Sequence, residues 1–251
     1  MGSNMSQKTR EILFYSSVTI FVLLSAVILV LALGYRYDFV LNKFIKTGSF
    51  RLTVNIDASI YINDKFSGNT SFLSNSFTKK FLLPRTYVVR IEKSGYFTWQ
   101  KHIEVGAGIF SDFPSVIIFP KKLNEENAEN KFEFPVDKTT ESPDGAKNLI
   151  FNKHEIWVEW LKDTNYQPFR KSGEKELIAR FSPQVYDVQW HKDSNHLFAN
   201  VGGILKFIEI DARDNVNIFD LFSAGDSFYY DKDSDAVYKI QNKKLYKILL
   251  K

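Results

Sequence analysis

Between Ile12 and Leu33 the chain runs 22 residues without a charge, ILFYSSVTIFVLLSAVILVLAL. At about 1.5 Å per residue, a helix of that length spans roughly 33 Å, enough to cross the hydrocarbon core of a bilayer. Its polar interruptions are Tyr15, Ser16, Ser17, Thr19 and Ser25, and small hydroxyls are tolerated in membrane helices. The sequence therefore predicts a transmembrane helix over residues 12–34; a fully buried core helix is the competing reading. Lys8 and Arg10 precede the run against Glu11, so the positive-inside rule places residues 1–11 in the cytoplasm and the chain from Tyr35 onward outside. A cleaved signal peptide normally has a shorter apolar region. Ala32-x-Gly34 is a weak cleavage site, so the anchor is expected to stay attached.

The sequence has no cysteine, which excludes disulfide stapling, thiolate zinc sites, cysteine nucleophiles and a lipoprotein anchor. It holds 23 Phe and 12 Tyr with many β-branched residues, a balance that favours strands. Lys and Arg outnumber Asp and Glu by 11 to 6 over residues 35–120, against 20 to 22 over 121–251. A mildly basic segment beside a membrane suits anionic headgroups or an anionic wall polymer, and equally an ordinary solvated surface. No stripe suited to nucleic acid is visible.

Residues 35–47 read as a juxtamembrane connector, with Tyr35 and Tyr37 fitting an interfacial aromatic belt. From Gly48 the pattern becomes short strands broken by turns: Phe50–Ile56, Ser59–Ile62, Phe77–Leu83, Thr86–Ile91, Phe97–Val105 and Ser115–Phe119, with a turn over Asn63–Gly68. That spacing suggests a small β-sandwich over residues 48–120. Three stretches stand in order: Ala58-x-Ile60-Tyr61-Ile62-Asn63-Asp64-Lys65-x-x-Gly68-x-Thr70, Leu83-Pro84-x-x-Tyr87-x-Val89-x-Ile91, and Lys93-x-Gly95-Tyr96. The succession resembles a PEGA domain. Ser71 stands where that family usually has proline, and Arg85-Thr86 where it usually has a loop glycine. The resemblance implies an extracellular structural or binding module without an active site.

Residues 121–131, KKLNEENAENK, read as a polar linker. Beyond it a unit repeats. Turns at Ser142-Pro143-Asp144-Gly145, His191-Lys192-Asp193-Ser194 and Asp231-Lys232-Asp233-Ser234 each precede a hairpin. Their aspartates Asp144, Asp193 and Asp233 lie 49 and 40 residues apart, the spacing of propeller blades. A short strand precedes each turn, at Phe132–Val136, Val185–Trp190 and Ser227–Tyr230. A fourth strand follows the first two hairpins, at Glu176–Phe181 and Val216–Phe222. The repeats are similar to the WD-like repeats of bacterial propeller proteins, which implies a partial, three-unit propeller-like domain over residues 132–251. Three units leave edges open. The last strand, Leu245–Leu249, has no partner following it, and the open edges call for self-association, a partner strand, or collapse of the sheets onto each other as a sandwich.

Candidate chemistry is sparse. Asp231-x-Asp233-x-Asp235 has the spacing of a calcium loop, but Ala236 and Asn242 stand where the glycine and the distal glutamate belong. His191 and His196 flank a turn with no metal-ligand partner evident nearby. No glycine-framed serine and no His-Glu-x-x-His occurs. The expectation is thus no catalytic, cofactor or metal residue. Phe97 and Trp99, which share a strand face, and Leu245, Tyr246 and Ile248 on the last strand are the candidate ligand or partner surface. Together these readings describe a mainly β, single-pass membrane protein. It would act as a non-catalytic envelope scaffold or binding protein whose partners are membrane lipid, other envelope proteins or wall polymer. An extracytoplasmic sensor or ligand-binding subunit of a membrane complex is the alternative, and a hydrolase a more distant one.

Overall fold

The structure, a computed structural model, describes residues 6–128, 134 and 139–250. It is mainly β, with one long apolar helix at the N-terminal end. Helix α1 (Gln7–Ala32) begins at Ser6, whose hydroxyl accepts the Thr9 N–H at 3.3 Å and caps the first turn. None of its residues is buried by the other described residues, and most of its apolar surface is left exposed.

The helix ends at a tight turn. Gly34 adopts φ +85°, and its carbonyl accepts both the backbone N–H and the hydroxyl of Thr47. Residues 35–47, expected as a juxtamembrane connector, form a hairpin of β1 (Tyr35–Asp38) and β2 (Lys43–Lys46). The reason lies in Asp38. Its carboxylate accepts the N–H groups of Val40 and Leu41, so the side chain closes the turn locally. The same carboxylate is paired with Arg85 at 3.0 Å and is held below its ordinary pKa, chiefly by the Val40 N–H.

Next come β3 (Gly48–Val54), β4 (Ser59–Ile62), β5 (Lys65–Asn69), β6 (Ser76–Leu82), β7 (Thr86–Glu92), β8 (Trp99–Glu104) and β9 (Phe110–Val116). They form two open sheets, ordered β6-β3-β9 and β5-β4-β7-β8. Alternate residues of β3, β7 and β8 are buried, as the period-2 pattern requires. The turn expected over Asn63–Gly68 is much shorter. Asn63 and Asp64 both take positive φ between Ile62 and Lys65, a two-residue type I′ hairpin, so residues 65–69 are free to pair as β5.

The expected linker contains a strand, β10 (Glu125–Asn127). The remaining strands are β11 (Lys147–Phe151), β12 (Glu155–Trp160), β13 (Lys175–Arg180), β14 (Val185–Trp190), β15 (His196–Val201), β16 (Ile204–Glu209), β17 (Ile218–Ser223), β18 (Ser227–Asp231), β19 (Ala236–Gln241) and β20 (Lys244–Leu249). They make three antiparallel sheets, ordered β11-β12-β13, β14-β15-β16-β17 and β10-β20-β19-β18. The strand expected at Phe132–Val136 lies, Phe134 aside, outside the described residues.

The third sheet corrects the sequence reading. The outer edge of β20 is not open. Glu125 pairs with Ile248, Glu126 with Lys247 and Asn127 with Tyr246, and the Ala128 N–H donates to the Leu245 carbonyl. Sequence pattern missed β10 because three polar residues on an edge carry no hydrophobic alternation.

The chain divides into two compact units. One comprises residues 1–50, 78–86 and 104–111; the other comprises 51–77, 87–103 and 112–251. The division does not fall at residues 121–131. Within the second unit a continuous apolar core joins Leu149, Ile156, Val158 and Trp160 to Val188, Trp190, Leu197 and Ile208. All six residues of β15 are buried, which makes it the most enclosed strand of its sheet.

Candidate functional site

The three repeat turns are built alike, and the comparison shows what their polar residues do. In the first, Asp144 Oδ1 accepts the Ser142 hydroxyl at 2.5 Å and the Ala146 N–H, while Lys147 reaches back to Oδ2 at 2.8 Å. In the second, Asp193 stands where Asp144 does, and His196 where Lys147 does. Asp193 accepts the Asn195 N–H, and the Nδ1 atoms of His191 and His196 lie 2.9 and 2.7 Å from its two oxygens. The third turn has Ala236 at the equivalent place and closes instead through the Ser234 hydroxyl on Asp231.

His191, Asp193 and His196 therefore form a cluster of ligand-type atoms within 4.8 Å of one another, where the sequence suggested no partner for either histidine. The Ser115 hydroxyl donates to the same carboxylate at 2.8 Å. The Asn195 N–H and the Ser115 hydroxyl donate to Asp193 while both imidazoles lie against it, so both carboxylate oxygens are engaged. Burial would raise the Asp193 pKa, but the imidazoles of His196 and His191 hold it far below the ordinary value. The cluster staples a turn, as Lys147–Asp144 does one repeat earlier. The sequence signal that could have found it is the alignment of Asp193 with Asp144 and of His196 with Lys147.

A second group lies on β8 and β16. Trp99, Lys101 and Ile103 alternate inward on β8, so a lysine sits on an otherwise apolar face. Its Nζ donates to the carbonyls of Asp211, Arg213 at 3.1 Å and Asn215 at 3.2 Å, and lies 3.3 Å from Glu209 Oε2. Glu209 also accepts the Trp99 indole N–H at 3.2 Å and the Asn217 amide at 2.9 Å. Burial raises the Glu209 pKa, opposed by the charge of Lys101. Burial would also raise that of Asp211, but its hydrogen bonds to Arg213 and the Lys101 charge bring it below the ordinary value.

Beside this seam opens a small cleft with about 70 Å³ of enclosed space. Phe113, Pro114, Trp160, Tyr166 and Pro168 form apolar walls, and Glu209, Asp211 and Arg213 contribute polar groups. Arg213 stacks over Phe113 at 3.9 Å and donates to the Asp112 carbonyl at 2.8 Å. Lys101 and the cleft went unread in the sequence. The only signal was a lysine at an inward position of an alternating strand.

The surface residues expected from sequence are placed differently. Trp99 is 1% exposed, with its ring edge-on to Phe113, and offers no stacking platform. Phe97 is half-buried and stacks on Phe219 at 5.3 Å. Leu245 and Ile248 are buried and Tyr246 half-buried, on a strand already paired on both sides. These five residues hold the fold rather than form one surface. Asp231, Asp233 and Asp235 do not converge as ligands: Asp231 accepts the Asp233 N–H, while Asp235 takes the Tyr230 hydroxyl and Lys192.

No protein-family model matches this sequence, and no curated protein matches it.

Proposed function

We propose that this protein is a non-catalytic binding or scaffold component of the cell envelope. It is anchored by α1 with its N-terminus inside and carries its β body outside the membrane. The observation that carries this reading is the use of the body's buried charges. Lys101, Glu209 and Asp193 are each tied to several partners, some on other strands or the loops after them, an arrangement that makes a stiff platform. Residues 48–120 are read as a PEGA-like β-sandwich and residues 132–251 as propeller-like repeats. The pairing of β10 with β20 supports the second assignment, because a strand from before the first repeat completes the last sheet. The full chain, purified in detergent and immobilised, should retain an envelope protein or wall polymer from solubilised envelopes. Retention no greater than that on a heat-denatured control would refute the reading.

The cleft favours one alternative, an extracytoplasmic ligand-binding subunit of a membrane complex. Its apolar walls and few polar groups are the features of a small-ligand site. Screening small polar molecules by thermal shift separates the two: a ligand whose stabilisation disappears in Tyr166→Ala favours the subunit.

A further inference from the structure

The hairpin that follows α1 carries its least polar residues at its tip. Phe39, Val40 and Leu41 are 84%, 78% and 58% exposed, and Phe44 beside them is 55% exposed. Loop tips are normally small and polar, so three consecutive large apolar residues there need a partner. The tip is not loose. The Asp38 carboxylate holds the N–H groups of Val40 and Leu41 and is itself held by Arg85. Tyr37 packs edge-on against Phe39 at 5.0 Å and Phe44 at 5.3 Å.

The base of the hairpin is bolted to the end of the helix. Thr47 donates twice to the Gly34 carbonyl, and Arg36 donates to the Leu31 carbonyl at 2.9 Å, capping the helix C-terminus. Four strand residues at about 3.3 Å each leave the tip no more than about 13 Å from that base, so a headgroup layer about 5–8 Å deep is within its reach. Lys43 and Lys46 lie along β2, and long cationic side chains beside an apolar tip suit an anionic headgroup layer.

We propose that the β1–β2 hairpin is a lipid-binding foot that buries Phe39, Val40 and Leu41 in the bilayer interface beside α1. This rests on the membrane-anchor reading. The foot adds an interfacial contact next to the spanning helix and fixes the orientation in which the chain leaves the membrane.

The chain has no cysteine, so single labels are free of background. Full-length Val40→Cys, Val22→Cys and Asp64→Cys, each spin-labelled, are reconstituted in vesicles of phosphatidylglycerol and phosphatidylethanolamine. Collision rates with oxygen and with a water-soluble nickel chelate are then measured. The expected result is a label at residue 40 that, like the one at 22, collides more with oxygen and several-fold less with nickel than the label at 64. If residue 22 is lipid-exposed but residue 40 meets nickel as freely as residue 64, the foot is refuted and the anchor stands. If residue 22 itself is aqueous, the anchor reading fails and takes the foot with it. Phe39→Ser in the Val40→Cys background should restore nickel access at residue 40; unchanged protection there would also overturn the proposal.

Discussion

Lys101 shows how one residue can decide packing. Its place on an inward position of β8 would be prohibitive for an unpaired ammonium, and three carbonyls with Glu209 make it tolerable. Lys101→Met should cost about 3–5 kcal/mol, because it leaves Glu209 buried without its cation. Adding Glu209→Gln should recover part of that loss, and urea denaturation of both variants checks it. The pH dependence follows from opposite shifts. Asp193 is held below the ordinary aspartate value of 3.8 in the fold, so its stabilising contribution is complete above that value and fades as the pH falls further below it. Glu209 is raised, so its ionised form costs stability above its folded pKa, and protonation relieves the cost. Thermal melts from pH 6 to pH 2 should therefore fall most steeply below about pH 4. Asp193→Asn should be less stable than the parent by about 2 kcal/mol at neutral pH, with a shallower acid limb.

At the level of elements, β10 and the two-residue turns carry the main consequences. Proline at Glu126, in the middle of β10, should detach the strand and expose the β20 edge. Sedimentation should then show more association than the parent does; no increase would mean that Lys244 and Lys247 of β20 protect that edge unaided. Lys243 occupies the second position of a type I′ turn at φ +62°, a conformation that disfavours a side chain. Lys243→Gly should thus gain about 0.5–1 kcal/mol, measurable by denaturation. Most strands were legible in the sequence because their period-2 pattern is set by one buried face, as at β7, expected over Thr86–Ile91 and found over Thr86–Glu92. The strands missed, β1, β2, β5 and β10, are short and largely exposed, and side-chain turns or edge pairing form them; β9, expected at Ser115–Phe119, lies instead at Phe110–Val116. The candidate site was less legible still. The Trp99–Glu209 bond spans 110 residues, and no local spacing encodes it.

For the whole molecule, α1 keeps most of its apolar surface exposed among the described residues, which is the physical ground for the membrane reading. The protein extracted from membranes should still carry the residues before Ile12, as N-terminal mass spectrometry can show. The most direct test of the account is its topology. In intact cells producing the otherwise cysteine-free chain, Asp64→Cys and Ser6→Cys are treated with a membrane-impermeant maleimide. The account predicts that residue 64 is labelled in intact cells and residue 6 only after the membrane is opened, with both proteins in the membrane fraction. Labelling of residue 6 but not residue 64 in intact cells, or recovery of the chain in the soluble fraction, would contradict it.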